Sequence, residues 1–216
     1  MAKANNSGYI FKRYLAFSHS RLSLHTMNLE KEILAVRSKD QVVTLVRWVG
    51  KNKSRFKQLM ELFLEGDSNP AQKSAWIIGH CAELHPELVN PWLKAMIKKM
   101  RQPGLHGALK RNVVRILQFV DIPRGLQGMV ANLCFELIAS MEEPIAVRTF
   151  SITVLANIAR EEPALRKELE IVVRQMLPYS TPAFRARAKK ILKDSEIEEL
   201  IADPEETSTT GRSSRR

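Results

Sequence analysis

Residues 146–159 read Ala146-Val147-Arg148-Thr149-Phe150-Ser151-Ile152-Thr153-Val154-Leu155-Ala156-Asn157-Ile158-Ala159. At helical spacing the apolar side chains of this stretch cover most of the circumference, and one charge, Arg148, enters near its start. A helix of that kind must be covered on more than one side. The segment that follows is different. Leu165, Leu169, Val172, Val173, Met176 and Leu177 fall on a single stripe, so it reads as a one-sided amphipathic helix. Pro163 stands between the two, where a proline at a first helical position forfeits no hydrogen bond. The unit is therefore an enclosed helix, a proline-bearing turn and a returning helix.

Working back along the chain, the unit recurs. Lys73, Arg111 and Arg148 mark the opening of the first helix at spacings of 38 and 37 residues, and the turn prolines Pro86, Pro123 and Pro163 follow at 37 and 40. Val89, Trp92, Leu93, Met96, Ile97 and Met100 repeat the amphipathic stripe, as do Leu126, Met129, Val130, Leu133, Cys134, Leu137 and Ile138. An earlier, less regular pair runs through Val42–Val49 and Phe56–Leu64. A last helix holds Phe184, Ala188, Ile191 and Leu192, and Ile197, Leu200 and Ile201 suggest a short closing one. Self-similarity at this period predicts a helical repeat array whose enclosed helices are covered by stacking on their neighbours.

The 146–159 stretch resembles the first helix of a HEAT repeat: an acidic or proline-containing entry, Val-Arg, then small and Leu positions. Gly107-Ala108-Leu109-Lys110-Arg111-Asn112-Val113-Val114 is a weaker copy, and the resemblance runs from about Lys39 to Lys193. The Asp frequent before Val-Arg in that family is missing; Glu142 and Glu143 stand near its place. The resemblance implies an all-α, right-handed α-solenoid of about four helix pairs, monomeric and non-catalytic, acting as a scaffold whose curved surface binds another protein. It also implies that the recurring basic residue ties one repeat to the next.

The ends read as outside that body. Residues 1–27 hold Lys3, Lys12, Arg13 and Arg21 and no acid, which fits an organellar transit peptide, a flexible arm, or a chain whose natural start is Met27. From there Asn28 takes an N-cap position, with Glu30 and Glu32 in the first turn. Residues 28–202 are expected to form the solenoid. Residues 203–216, without a large apolar side chain, read as a disordered tail. No apolar run approaches the roughly 18 residues of a membrane span, and Cys81 and Cys134 lie in different repeats, so a reduced, cytoplasmic setting without membrane contact is expected.

A net charge of +11 favours an anionic partner. Three groups of cations are candidates. Lys94, Lys98 and Arg101 share one helical ridge, and Lys51, Lys53, Arg55 and Lys57 lie between the helices of the first pair; both groups are candidate binding residues. Lys73, Lys110, Arg111, Arg148, Arg185 and Arg187 recur near one point of successive repeats, placed either to tie repeats together or to touch phosphates. Glu136 and the mixed charges of Arg166–Arg174 interrupt a continuous basic track, so an unidentified protein partner is preferred and nucleic acid is the alternative.

No cofactor is expected. His80, Cys81, His85 and His106 lack a second pair at zinc-finger spacing, so no metal site is expected. No nucleophile elbow or phosphate-binding glycine loop is present. The HEAT-like DNA glycosylases that excise alkylated bases are similar in architecture, size and charge. Their catalytic Asp sits among tryptophans, whereas Asp121 stands in a turn with no Trp near it in sequence, and the chain is not expected to be an enzyme.

Overall fold

The structure, a computed structural model, describes residues 28–66, 68–160 and 162–192. Among them are ten α-helices and no strand: α1 Leu29–Ala35, α2 Lys39–Val49, α3 Lys53–Glu65, α4 Ser68–Leu84, α5 Leu93–Met100, α6 Gly107–Leu117, α7 Arg124–Ala139, α8 Ile145–Ile158, α9 Pro163–Met176 and α10 Pro182–Leu192. The arm expected over 1–27, the closing helix with Ile197, Leu200 and Ile201, and the tail over 203–216 lie outside the described residues.

Local chemistry fixes many of the helix ends. The Asn28 side chain accepts the Lys31 N–H at 3.1 Å, and Asn52 accepts that of Arg55 at 3.0 Å. Ser38 and Gln41 form a reciprocal capping box at the start of α2. Pro163 occupies the first turn of α9, where its missing N–H is not needed. Gly50 ends α2 at φ +49°, a conformation other residues adopt only with strain.

The contact pattern divides the chain into two compact units, residues 1–127 and 128–216, with the division falling within α7. In the first unit α4 is the central element. It packs against α1, α2, α3 and α6, and every residue whose burial is described from Pro70 to Leu84 is buried or half-buried. The first helices of successive pairs stack on each other, α2 on α4 and α4 on α6, while the returning helices α3 and α5 also touch. Phe56, Leu59, Met60 and Phe63 of α3 are buried, as are Ala75, Ile77 and Ile78 of α4, the helix it packs against. Each large side chain removed from water in this way contributes about 1.5–3 kcal/mol.

Within the second unit α8 contacts both α9 and α10. No residue of α8 is fully exposed. Val147, Ile152, Val154 and Leu155 are buried, as are Leu169 and Val173 of α9 and Phe184 and Ala188 of α10. The near-complete apolar circumference of 146–159 thus corresponds to a helix covered on several sides.

Three local expectations need correction. Lys73, Arg111 and Arg148 do not open their helices; they are the sixth, fifth and fourth residues of α4, α6 and α8. The continuous helix expected from Val89 to Met100 is instead two 3-10 turns, Pro86–Leu88 and Asn90–Trp92, leading into the shorter α5. Pro91 carries no N–H to donate and disfavours helical geometry at Asn90, so an α-helix cannot run through this segment undisturbed. Trp92, placed at a core position by periodicity, is only half-buried, as is Trp76, and Trp48 is the buried one.

Candidate functional site

The basic side chains sort by what their charged ends touch. The last carbonyls of a helix have no partner within it and carry the negative end of its dipole. Four helix ends are capped by cations on the carbonyl of the penultimate helical residue. Lys73 Nζ donates to Leu34 O of α1 at 2.6 Å, where Arg37 also donates at 2.7 Å. Arg55 donates to Trp48 O of α2 at 2.7 Å, with its guanidinium 4.7 Å from the Trp48 ring centre. Lys99 Nζ donates to Leu64 O of α3 at 2.8 Å and lies over Phe63. Arg148 Nε donates to Ile138 O of α7 at 3.0 Å, and its guanidinium lies 5.1 Å from the Phe184 ring centre. Burial lowers the pKa of Lys99 and of Arg148.

A second set of contacts spans about one repeat in sequence. Besides Lys73 to Leu34 and Lys99 to Leu64, Asn112 Nδ2 donates to Gln72 O at 3.5 Å, and Arg187 donates to Thr153 Oγ1 at 2.8 Å while facing the Phe150 ring. The strongest of these is an ion pair from Arg115 of α6 to Glu83 of α4. The Glu83 side chain is 3% exposed, and its other oxygen lies 3.6 Å from His80 Nδ1. Burial alone raises the Glu83 pKa. The adjacent His80 ring and the charge of Arg115 outweigh burial and leave it below the ordinary carboxylate value.

The candidate residues therefore divide. Lys73, Arg55, Arg148 and Arg187 have their charged ends on backbone or side-chain oxygens of neighbouring elements. Lys110 and Arg185 are half-buried and have partners of their own, and Arg111 is exposed. Lys51 and Lys53 are exposed, and Lys57 pairs with Glu61 at 3.5 Å on an exposed face. Lys94, Lys98 and Arg101 are exposed on one side of α5, whose Leu93, Met96, Ile97 and Met100 are buried on the other. Lys94 and Lys98 are one helical turn apart, which brings their ammonium groups to a common ridge.

Sequence reasoning missed Lys99 and the Glu83–Arg115 pair. Lys99 differs from Lys98 only in pointing at a carbonyl 35 residues away, and a backbone acceptor leaves no mark in a sequence. It also missed the role of His106, whose Nδ1 accepts the Ala108 N–H at 3.2 Å as the cap of α6. His80 and His85 each face a glutamate, Glu83 and Glu87. Burial pushes the Cys81 and Cys134 thiols up to about 12, so both stay protonated and unreactive near neutral pH. Among the described residues no three His, Cys, Asp or Glu side chains gather at metal-binding distance, and no helix is long and apolar enough to cross a membrane. Asp121 is exposed in the turn before α7.

This arrangement of stacked first helices, with cross-repeat contacts spaced by 32–40 residues, accords with a match to the HEAT repeat domain family model over residues 29–195. The chain belongs to the HEAT repeat family. HEAT repeats are helical scaffolds that generally mediate protein interaction. No curated protein and no solved structure matches the chain.

Proposed function

We propose that the chain is a non-catalytic scaffold that binds a protein partner through exposed basic side chains of its first unit, chiefly Lys94, Lys98 and Arg101 of the α5 ridge. One observation carries this reading. The cations that reach inward are bonded to helix ends and neighbouring repeats, while Lys94 and Lys98 stand on the solvent side of α5 with the core-forming residues on its far side. Their charge contributes little to holding the fold, because exposed charges of this kind contribute about 0–1 kcal/mol. Lys51, Lys53 and Lys57 form a second exposed group on and before α3, secondary in this reading because Glu61 already offsets Lys57. Lys110, Arg111 and Arg185 are left as contacts between repeats or with the partner.

The triple variant Lys94→Ala, Lys98→Ala, Arg101→Ala should lose the proteins that co-purify with the intact chain while its melting temperature stays within a few degrees. A fall in stability of more than about 2 kcal/mol would make these residues structural and remove the surface assignment. The net charge supports nucleic acid as the second reading. A titration against duplex DNA and RNA at rising salt decides it, since binding through phosphates weakens steeply with salt and a flat or undetectable response excludes it.

A further inference from the structure

The charge of the chain is unevenly distributed. Residues 28–127 hold 17 Lys and Arg against 9 Asp and Glu, a net +8, while residues 128–216 hold 13 against 14, a net −1. Inside the first of these regions, Leu88–Val120 is a stretch of 33 residues with seven Lys and Arg and no carboxylate side chain. It contains α5 and α6, which pack together. Four of the seven have interactions within the fold: Lys99 caps the end of α3, Arg115 pairs with Glu83, and Lys110 and Arg101 have partners as well. The acids that border the stretch in sequence are Glu87 and Asp121.

Lys99 also sets the orientation of α5. Its edge of the helix faces α3, whose Leu64 carbonyl it caps. At 100° per residue, Lys94, Lys98 and Arg101 fall together on the other edge, turned away from α3. The Lys57–Glu61 pair on α3 therefore does not extend this ridge. The ridge is short, about two helical turns. A basic face of this size, with no acid in its own sequence neighbourhood, is complementary to a short run of carboxylates.

We propose that the Lys94–Lys98–Arg101 edge of α5 is the docking site for an acidic segment of a partner protein, an inference that rests on the protein-binding reading above. The segment presents carboxylates one helical turn apart, or at alternate positions of an extended chain, because either spacing matches the roughly 5–6 Å between Lys94 and Lys98. Nucleic acid fits less well. Its binders commonly neutralise on the order of six to ten phosphates, and single strands also need aromatic faces for stacking. Among the described residues of the first unit no Phe, Trp or Tyr side chain is fully exposed; Trp76, Trp92 and Phe119 are half-buried.

The test uses the full chain and a labelled synthetic peptide of about twelve residues with glutamate at alternate positions, beside the same peptide carrying glutamine. The intact chain should bind the glutamate peptide and not the glutamine one. The variant Lys94→Ala, Lys98→Ala, Arg101→Ala should weaken binding about tenfold, as expected for the loss of three exposed charge pairs. Lys53→Ala with Lys57→Ala should change it less than about twofold. The charge reversal Lys94→Glu, Lys98→Glu should transfer binding to an oligolysine peptide, which keeps the test valid if the triple variant is poorly folded. Equal binding of both peptides, or tighter binding of a DNA or RNA duplex at the same residues, overturns the proposal. If the triple variant loses its co-purifying protein but the glutamate peptide binds neither form, docking on this ridge stands and the acidic partner falls. If neither changes, both readings fall.

Discussion

The two units use the same contact in different surroundings. In residues 28–127 Lys73, Lys99 and Arg55 cap helix ends while half-buried, and Arg37 does so while exposed, so water still reaches part of each side chain. In residues 128–216 the equivalent contact is made by Arg148, which is only 4% exposed and has an aromatic ring against its guanidinium. A half-exposed cation can leave its carbonyl and be replaced by water at little cost. A buried one cannot, because its loss strands a carbonyl in a dry site. Arginine serves in both settings, its weakly hydrated guanidinium lying over Trp48 at Arg55 and over Phe184 at Arg148. The difference shows that a recurring basic residue in a repeat array has no fixed energetic weight; burial sets it.

That contrast can be broken in order of expected effect. Arg148→Ala should be the most damaging change, costing about 3 kcal/mol in denaturant unfolding, because it removes a buried hydrogen bond, an aromatic contact and volume together. A loss under about 1 kcal/mol would mean that the site is wetter than its exposure indicates. Glu83→Gln should follow, at about 2 kcal/mol, by breaking the ion pair that ties Arg115 of α6 to α4 and removing the charge beside His80. The sign of its pH dependence is fixed. The folded pKa of Glu83 lies below the ordinary value of 4.5, so its contribution is fully present above that pH and disappears as pH falls through the folded pKa. Thermal melts from pH 6 down to about pH 3 should show the intact chain losing more stability than Glu83→Gln over the acid part of the range.

Smaller effects come next. Lys99→Ala should cost about 1 kcal/mol or less, the usual size for a partly solvated cation at a helix end, and high salt should reduce it. Gly128→Ala should act in the opposite direction. Gly128 lies inside α7, and a methyl group there would meet no heavy atom within 4 Å. Alanine should therefore raise stability by up to about 1 kcal/mol through helix propensity alone. A destabilisation measured by the same melts would show that something approaches this exposed face closely.

The class of the fold was legible because periodicity reports burial directly. The near-complete apolar circumference of 146–159 required a covered helix, and α8 is covered; the stripe of 126–138 corresponds to the inward face of α7 except at Met129, which is exposed, and Leu169 and Val173 of the next stripe are buried on α9. The pattern failed at 86–92 because a stripe of apolar spacings is compatible with 3-10 turns once prolines interrupt it, and spacing alone cannot tell the two apart. The exposed position of Lys94, Lys98 and Arg101 could be inferred from the buried stripe beside them. The destinations of Lys73, Lys99 and Arg148 could not, because their acceptors are main-chain carbonyls at the ends of other helices. The Glu83–Arg115 pair was hidden by distance: the partners are 32 residues apart and belong to different repeats.

The central claim is that cations inside the stack hold it together while those on the α5 ridge serve recognition. It is tested most directly by measuring, on one sample of each, the unfolding free energy and glutamate-peptide affinity of Arg148→Ala and of Lys94→Ala with Lys98→Ala. The account predicts opposite outcomes: Arg148→Ala loses about 3 kcal/mol of stability and retains its affinity under conditions where it is folded, while the double lysine variant keeps its stability within about 0.5 kcal/mol and loses most of its binding. A double lysine variant that unfolds as readily as Arg148→Ala, or that binds as tightly as the intact chain, contradicts it.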